Sequence, residues 1–199
     1  MKFNETYTKH ETPFGKEADL IVKNILKHIE SGNAIDLGAG QGRNSLFLAS
    51  HGFSVEAVDS SSVAIQKIKE QSKKENIKID AHVSDISELE LSKEYDAIIS
   101  TLVLHHLASD KAISLIENIK EHTKVGGVNV ITLFTKEGDF YTIDKEKGTF
   151  YADRGQLKDM YSDWEIIEYF EREGKAHAKK SDGSPMFNIS AGILAKKIG

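Results

Sequence analysis

The sequence of 199 residues contains no cysteine and only two prolines. The absence of cysteine excludes disulfide bonds, zinc sites with thiolate ligands and a cysteine nucleophile. Long apolar runs are also missing, since the longest nearly unbroken one, residues 97–104, is far shorter than the roughly 18 residues that a membrane span needs. Residues 1–17 lack the apolar core of a signal peptide. We therefore expect a cytoplasmic protein with no membrane partner.

Positive charge is in short supply as well. The chain has 26 Lys and Arg against 31 Asp and Glu, which gives a formal net charge of −5. Proteins dedicated to nucleic acids neutralise phosphates with clustered basic residues, so we expect no nucleic-acid partner. The hydrophobic share of 39% and the charged share of 29% are ordinary for a globular protein of this length. We expect one domain over residues 1–199, present as a monomer or a homodimer.

Patterns typical of helices and of strands alternate along the chain. Isoleucines recur every four residues within 17–30, which predicts an amphipathic helix. Strands are predicted at residues 34–37, 54–59, 77–83, 95–101, 128–134, 164–170 and 185–196. This alternation predicts a doubly wound, Rossmann-like α/β fold, in which helices cover both faces of a mostly parallel sheet. The last two strands have no long helix between them and predict an antiparallel C-terminal hairpin.

Two polar segments show no clear periodicity. We expect residues 136–151 to form a long insertion loop, and the charged residues 171–184 to connect the last two strands. A ligand of this fold binds at the carboxyl ends of the strands, near the point where the strand order reverses. We expect the N-terminal residues, the loop 136–151 and residues 173–180 to close over an acceptor bound there.

The sharpest motif is a glycine-rich loop between the first predicted strand and a helix. It reads DLGAGQG over residues 36–42, and its glycines allow the backbone to approach a ligand closely. Asp59 ends the next predicted strand, where an acid accepts hydrogen bonds from ribose hydroxyls in such folds. A helix N-cap role for Asp59 and a plain turn role for the glycines are the alternatives.

The spacing of this loop bears on the cofactor class. A dinucleotide site needs G-x-G-x-x-G/A, whose third small residue packs the helix against the sheet, and here Arg43 holds that position. S-adenosylmethionine has a ribose and an adenine but no pyrophosphate, so the observed spacing of the glycines favours it over a dinucleotide. Asp36, at the entry of the loop, is a candidate to help hold its amino end. Asp85, which follows the third predicted strand, is a candidate to bind the adenine amino group or to cap a turn. We expect S-adenosylmethionine as the cofactor, with NAD as the weaker alternative.

The sequence resembles the class I S-adenosylmethionine-dependent methyltransferases and, over nearly its full length, the tellurite-resistance methyltransferase (TehB-like) family. The resemblance lies in DLGAGQGRNSLFLASHGFSVEAVDSS (36–61), YDAIISTLVLHHL (95–107), VGGVNVI (125–131), GQLKDMYSDWEIIEY (155–169) and LAKK (194–197). It implies a seven-stranded sheet and an N-terminal cap segment, residues 1–16, in which Tyr7 folds over the cofactor. It also implies cofactor contacts at Gly38, Gly40, Arg43, Asn44, Asp59, Ser60, Asp85, Ile86 and Thr101.

Methyl transfer from a sulfonium is an in-line displacement, which depends on alignment and exclusion of water more than on acid–base groups. We expect no metal. His105 and His106 follow the fourth predicted strand and are candidate substrate residues, with packing or capping as the alternative. The resemblance implies that His177 lies near the acceptor, which makes it the candidate catalytic residue because an imidazole can orient or deprotonate an acceptor near pH 7.

The acceptor is expected to be a small molecule, either an oxyanion, a thiol or an amine. The family places arginines shortly after the histidine, whereas this sequence has Ala178 and Pro185 there. Lys179 is a candidate substitute, although a lysine is a point charge and cannot form the bidentate fork of an arginine. We therefore expect weak activity on tellurite or selenite. A protein that binds the cofactor without catalysis is the alternative function.

Overall fold

The computed structural model describes residues 2–199, apart from the side chains of Lys2 and His177. In this part of the chain the strands are β1 (Gly32–Leu37), β2 (Phe53–Asp59), β3 (Ile79–Val83), β4 (Tyr95–Thr101), β5 (Thr123–Gly138), β6 (Glu165–Lys179) and β7 (Pro185–Lys196). They form one sheet in the order β3-β2-β1-β4-β5-β7-β6. Strands β1 to β5 pair in parallel, and β7 pairs antiparallel with both β5 and β6. The predicted mostly parallel sheet with an antiparallel C-terminal hairpin is confirmed.

The helices are α1 (Lys2–Lys9), α2 (Leu20–Lys23), α3 (Arg43–Ser50), α4 (Ser62–Glu75), α5 (Ser109–Glu121), α6 (Asp139–Asp144) and α7 (Gln156–Asp159). The apolar stripe of α5 is buried, as its helical spacing predicts. Helix α4 begins where the Ser61 hydroxyl accepts a hydrogen bond from the Ala64 backbone N–H at 3.1 Å. Within residues 2–199, no helix has both the length and the apolar character that crossing a membrane requires.

The core explains the apolar run of the fourth predicted strand. Ala97, Ile98 and Ile99 of β4 are all fully buried, because β4 lies at the centre of the sheet and both of its faces are covered. The chain passes from β1 outwards to β2 and β3, then returns to the other side of β1 with β4. The strand order therefore reverses between β1 and β4, and a crevice at the carboxyl ends of these two strands is the binding place that this topology favours.

The helix predicted over residues 17–30 is shorter than expected. Only Leu20–Lys23 is α-helical, and a 3₁₀ turn, Asn24–Lys27, follows it. Asp19 has an extended backbone with ψ 139°, and its backbone N–H donates to Asn44 Oδ1 at 2.9 Å. This bond to a residue far along the chain holds Asp19 outside the helix, so the helix begins only after it.

The prediction of a loop over residues 136–151 is wrong in part. Strand β5 continues to Gly138, then α6 and a 3₁₀ turn, Lys145–Lys147, follow. The Phe140 backbone N–H donates to Asn188 Oδ1 at 2.9 Å, and the Asp139 carboxylate accepts from the Phe187 backbone N–H at 2.8 Å. Strand β7 therefore supplies the partners that order this polar segment.

The prediction for residues 171–184 is also corrected. Strand β6 runs on to Lys179, and only residues 180–184 connect it to β7. The ladder pairs Glu171 with Ala191, Lys175 with Phe187 and Lys179 with Pro185. Charged side chains are compatible with this strand because β6 is the edge of the sheet, where they also discourage pairing with another chain.

Candidate active site

A cavity of about 1040 Å³ opens at the carboxyl ends of β1, β2 and β4. Its walls come from the segments that follow these strands, from the N-terminal residues, and from parts of β5, β6 and β7. The volume slightly exceeds the range of roughly 300–1,000 Å³ for small-ligand pockets. The cavity therefore has room for more than one small ligand.

Two glycines of the loop after β1 adopt backbone conformations that other residues avoid. Gly38 has φ +76°, and a Cβ placed on it would lie 2.5 Å from Val103 Cγ2. Gly40 has φ +56°, and a Cβ there would lie 2.6 Å from the Tyr7 hydroxyl. The loop therefore requires glycine at both positions, and its backbone forms part of the cavity wall without a side chain in front of it.

Asp59 connects the end of β2 to this loop. One carboxylate oxygen accepts a hydrogen bond from the Gly40 backbone N–H and the other from the Ser61 backbone N–H, each at 2.8 Å. Burial raises the pKa of Asp59, and the two backbone hydrogen bonds oppose that rise. Each oxygen keeps a further lone pair, so the carboxylate, which lines the cavity beside Ser60, can accept more hydrogen bonds.

Asp36 is placed differently from the expectation. Its side chain is 1% exposed, accepts a hydrogen bond from the Ser45 hydroxyl at 2.6 Å, and is not part of the described cavity wall. Burial raises the pKa of Asp36 to about 6, although the Ser45 hydrogen bond opposes this. The carboxyl group joins β1 to α3 beneath the loop.

Arg43 and Asn44 line the cavity and also hold the segment before α2. The Arg43 guanidinium forms a two-pronged contact with the Asp19 carboxylate at 2.7 and 2.6 Å. The Asn44 amide donates to Thr101 Oγ1 at 3.0 Å, and Thr101 lies on the cavity wall at the end of β4. The sequence analysis did not find Asp19, since a single acid before a short helix carries no motif.

The N-terminal helix covers the glycine loop. Tyr7 is 4% exposed, and its hydroxyl lies over Gly40. Burial raises the pKa of Tyr7, with the negative charge of Asp59 as the next cause. The helix is held by a hydrogen bond from the Ser61 hydroxyl to Asn4 Oδ1 at 2.6 Å. The N-terminal segment thus contributes Tyr7, with Phe3 and Phe14, to the cavity wall.

Asp85 and Ile86 lie on the cavity wall after β3. The Asp85 carboxylate accepts a hydrogen bond from the Ser87 backbone N–H at 2.9 Å, which closes a turn with one of its two oxygens. Ile86 is buried. The turn role and a role in ligand binding are therefore compatible for Asp85, because one oxygen can serve each.

The wall on the other side of the cavity is built from rings. We call this part the aromatic compartment; it comprises Phe3, His105, His106, Phe134 and Phe140. The His105 ring lies 3.9 Å from the His106 ring and 4.7 Å from the Phe134 ring. Phe134 meets Phe140 nearly at a right angle, with 5.4 Å between the ring centroids. Sequence reasoning missed the three phenylalanines, because they come from α1, β5 and α6, which are far apart along the chain.

His105 is held as a neutral ring inside this compartment. The side chain is 7% exposed, and its Nδ1 has no hydrogen-bond partner among the described residues. Burial lowers the pKa of His105 to about 3, and the neighbouring His106 is the second cause of this decrease. The ring therefore stays uncharged near neutral pH and adds no positive charge to the cavity.

Strand β6 contributes Gly174, Lys175, Ala176 and Ala178 to the cavity wall. Lys179 is exposed and does not belong to the described wall, so it is not placed as the expected substitute for an arginine. His177 lies in β6, but its side chain falls outside the described part of the structure. Among the described residues, no group of three His, Asp or Glu side chains could hold a metal ion.

Leu102 is a further feature that the sequence did not reveal. It follows β4 with φ +52°, a conformation that is unusual for a residue other than glycine, and it lines the cavity. Its backbone N–H donates to the backbone oxygen of Thr132 at 2.8 Å and to the Thr132 hydroxyl at 3.1 Å. These bonds hold a strained turn at the point where the glycine loop and the aromatic compartment meet.

Comparison with known proteins agrees with this geometry. The family model of the tellurite resistance protein TehB matches residues 3–189. A Haemophilus influenzae protein named "Probable S-adenosyl-L-methionine-dependent methyltransferase TehB" is 35% identical over 196 residues, which cover 96% of this chain and 68% of that protein. "Hemagglutinin 1" of Eikenella corrodens is 32% identical over 178 residues, which cover 89% of this chain and 59% of that protein.

Solved structures share the fold. The crystal structure of TehB from Haemophilus influenzae matches with a TM-score of 0.80 and 30% identity, and the match covers 98% of this chain and 67% of that one. A methyltransferase structure from Clostridium acetobutylicum has a TM-score of 0.69 at 14% identity, covers both chains completely, and supports the fold alone. The chain therefore belongs to the tellurite resistance protein TehB family of S-adenosylmethionine-dependent methyltransferases.

Proposed function

We propose that this methyltransferase binds S-adenosylmethionine at the glycine loop and transfers its methyl group to a small molecule held in the aromatic compartment. The observation that carries the proposal is that one cavity contains both places. Gly40 and Asp59 lie in one part of its wall, and His105 and Phe134 lie in another. A donor and an acceptor bound in the same cavity can meet without leaving it.

The residues around the loop fit the cofactor. The positive φ values of Gly38 and Gly40 leave backbone surface open to a ligand, and Asp59 keeps lone pairs for ribose hydroxyls. The free oxygen of Asp85 suits an adenine amino group, and Ile86 suits the flat face of the adenine ring. Arg43, Asn44, Ser60 and Thr101 complete the contacts that we propose. When bound, S-adenosylmethionine supplies an electrophilic methyl group on a positively charged sulfur.

The protein itself aligns the reactants and excludes water. Tyr7, Phe3 and Phe14 cover the cavity from the N-terminal side, and the pairing of Arg43 with Asp19 holds the following segment beside the loop. A water-poor cavity favours in-line displacement because the nucleophile is not shielded by hydration. We expect no general base to be needed for an acceptor that already carries a reactive lone pair.

The role of His177 remains a proposal from the sequence resemblance. We propose that it orients the acceptor or takes a proton from it, with His105 and His106 contributing to the acceptor site. Replacing His177 with alanine should lower turnover and leave the affinity for S-adenosylmethionine nearly unchanged. His28→Ala is a matched control, since His28 is exposed and lies outside the described cavity wall. Equal turnover in both variants would remove His177 from the mechanism.

The proposed function is tested with labelled S-adenosylmethionine and a panel of small thiols, amines and oxyanions. We expect the protein to bind S-adenosylmethionine in preference to NADH by calorimetry, and to form S-adenosylhomocysteine only when an accepted substrate is present. Binding of the cofactor without turnover on any acceptor would favour a non-catalytic binding protein. Preference for NADH would reject the proposed cofactor site.

A further inference from the structure

We infer that the methyl acceptor is an aryl thiol, which binds with its ring in the aromatic compartment and reacts as the thiolate. The inference rests on the proposed function, and it selects one acceptor class from the three that the sequence leaves open. Two features of the described cavity wall support it. One is the arrangement of the rings, and the other is the pairing, exposure and protonation of the titratable side chains.

The ring cluster suits a flat apolar body. Phe134 and Phe140 stand nearly perpendicular, and Phe3 meets His106 edge to face with 4.9 Å between centroids. These rings line the cavity, so a further aromatic ring bound there can gain from contacts of the same kind. Aromatic rings also interact favourably with polarisable sulfur at their edges. A hydrated inorganic ion would meet mostly carbon at this place.

The cations on the described cavity wall are poorly suited to an oxyanion. They are Arg43, Lys111 and Lys175. The guanidinium of Arg43 is engaged with the Asp19 carboxylate, and Lys111 is paired with Glu88 at 3.0 Å. Both lysines are exposed, so water screens their charge. An inorganic oxyanion carries its charge on strongly hydrated oxygen atoms, and it would lose that hydration in the aromatic compartment without gaining a bidentate arginine in return. The charge of an aryl thiolate lies on a large, polarisable sulfur and is less strongly hydrated, so this loss is smaller.

An amine is disfavoured for a different reason. An aliphatic amine carries a proton near neutral pH and must lose it before it can attack. Burial lowers the pKa of His105 to about 3, which makes this ring a very weak base. Even an ordinary imidazole, with a pKa of about 6.5, does not readily take a proton from an ammonium group with a pKa of about 10. A thiol has a pKa of about 8.5 and an aryl thiol a lower one, so a usable fraction is already ionised in solution. The thiol therefore enters with its proton already lost to water.

The chemistry of a thiolate also matches a water-poor compartment. A lone pair of the thiolate sulfur forms the new bond to the methyl carbon. The bond between that carbon and the sulfonium sulfur breaks, and its electron pair stays on the departing sulfur. The products are a neutral aryl methyl thioether and S-adenosylhomocysteine. One negative and one positive charge are cancelled in this step, and a medium of low dielectric constant favours such cancellation.

The test compares benzenethiol, benzylamine and selenite as acceptors for the wild-type protein, because benzylamine has the same ring but carries an aliphatic amine. We expect kcat/KM for benzenethiol to exceed that for the other two after subtraction of the uncatalysed rate. Phe140→Ala should raise KM for benzenethiol about three- to tenfold, because a ring contact is lost, while cofactor affinity stays unchanged. Phe140→Tyr should restore a KM close to that of the wild type because it keeps the ring.

Ile143→Ala is the matched control, since Ile143 lies on the same helix but is exposed and outside the described cavity wall. We expect its kinetics to equal those of the wild type. Faster methylation of benzylamine or selenite, or no turnover of benzenethiol by protein that binds S-adenosylmethionine, would overturn the aryl-thiol inference and leave the proposed function intact. A benzenethiol KM that Phe140→Ala leaves unchanged would overturn it too. Absence of cofactor binding would instead refute the proposed function.

Discussion

The two sides of the cavity are built on opposite principles. On the side of the glycine loop, positions are held by hydrogen bonds to backbone atoms, as in the contacts of Asp59 with Gly40 and Ser61. On the side of the aromatic compartment, rings pack against one another, and the buried Nδ1 of His105 has no partner among the described residues. The first side is specified by a short stretch of sequence, and the second by elements that meet only in the folded chain. Substitutions should therefore affect the two sides in separable ways.

The largest effect is expected from Gly38→Ala. An alanine at φ +76° is strained, and its Cβ would come within 2.8 Å of Val103 Cβ, so the loop or the turn after β4 must shift. We expect the free energy of unfolding to fall by about 2–4 kcal/mol and cofactor affinity to fall with it. Chemical denaturation and calorimetry measure the two quantities.

Gly148→Ala separates the strain from the clash. Gly148 has φ +68°, and a Cβ there meets nothing within 4 Å, so this variant has the backbone strain alone. We expect it to lose about 1–2 kcal/mol of stability and to keep its cofactor affinity. Equal losses in the two variants would mean that the close approach of Gly38 to Val103 has no energetic weight.

A second effect concerns Asp36, beneath the loop. Its pKa is about 6 in the folded protein and 3.8 as the ordinary value, so between these values the folded state binds more protons than the unfolded one. Stability from this group is full below about pH 4 and is lost as the pH rises through 6. Asp36→Asn, which cannot ionise, should raise the free energy of unfolding at pH 7 by roughly 2 kcal/mol relative to its effect at pH 4.

The contribution of His105 to the free energy of unfolding should change with pH in the opposite direction. Its pKa is about 3 when folded and 6.5 as the ordinary value, so the unfolded state binds more protons between these values. Stability from His105 is therefore full above about pH 6.5 and is lost as the pH falls towards 3. His105→Gln should flatten the acid side of the stability profile, which denaturation at a series of pH values measures. An unchanged profile would mean that the ring is not held neutral.

A smaller effect is expected when a positive charge is added to the cavity wall. Ala178 lies on the cavity wall, where Ala178→Arg would offer a bidentate fork to an anion. We expect kcat/KM for selenite to rise about tenfold, since a hydrogen bond to a charged group is worth roughly 1.5 kcal/mol or more. Glu173→Arg is the control, because Glu173 is exposed on the same strand and outside the described wall. A similar rise in the control would indicate a general effect of charge.

The sequence was most informative where function depends on neighbours along the chain. The alternation of strands and helices predicted the sheet, and the glycine spacing with Asp59 predicted which residues meet at the strand ends. The sequence was least informative where a distant segment determines the local secondary structure. Residues 136–151 are ordered by β7 through Asn188, and the charged residues after Phe170 extend β6 because β7 pairs with them. Neither partner can be recognised from local composition.

The same limit applies to single side chains. Asp36 lies one residue before the end of β1 and Asp59 ends β2, yet only Asp59 lines the cavity, while Asp36 turns to Ser45 of α3. Lys179 lies one residue beyond Ala178 and is exposed outside the described wall, whereas Ala178 lines it. Side chains alternate between the two faces of a strand. Whether a given side chain faces the cavity can therefore be predicted only after the strand itself has been recognised.

The most direct test of the two-sided account is a titration of S-adenosylhomocysteine into Asp59→Ala, Phe140→Ala and Asp80→Ala. The last is a control, because Asp80 is an exposed acid on the neighbouring strand β3. We predict that Asp59→Ala weakens binding about tenfold to a hundredfold, as expected for a lost hydrogen bond to a charged group worth roughly 1.5–3 kcal/mol, and that the other two bind as the wild type does. Wild-type affinity in Asp59→Ala, or an equal loss in Phe140→Ala, would contradict the account.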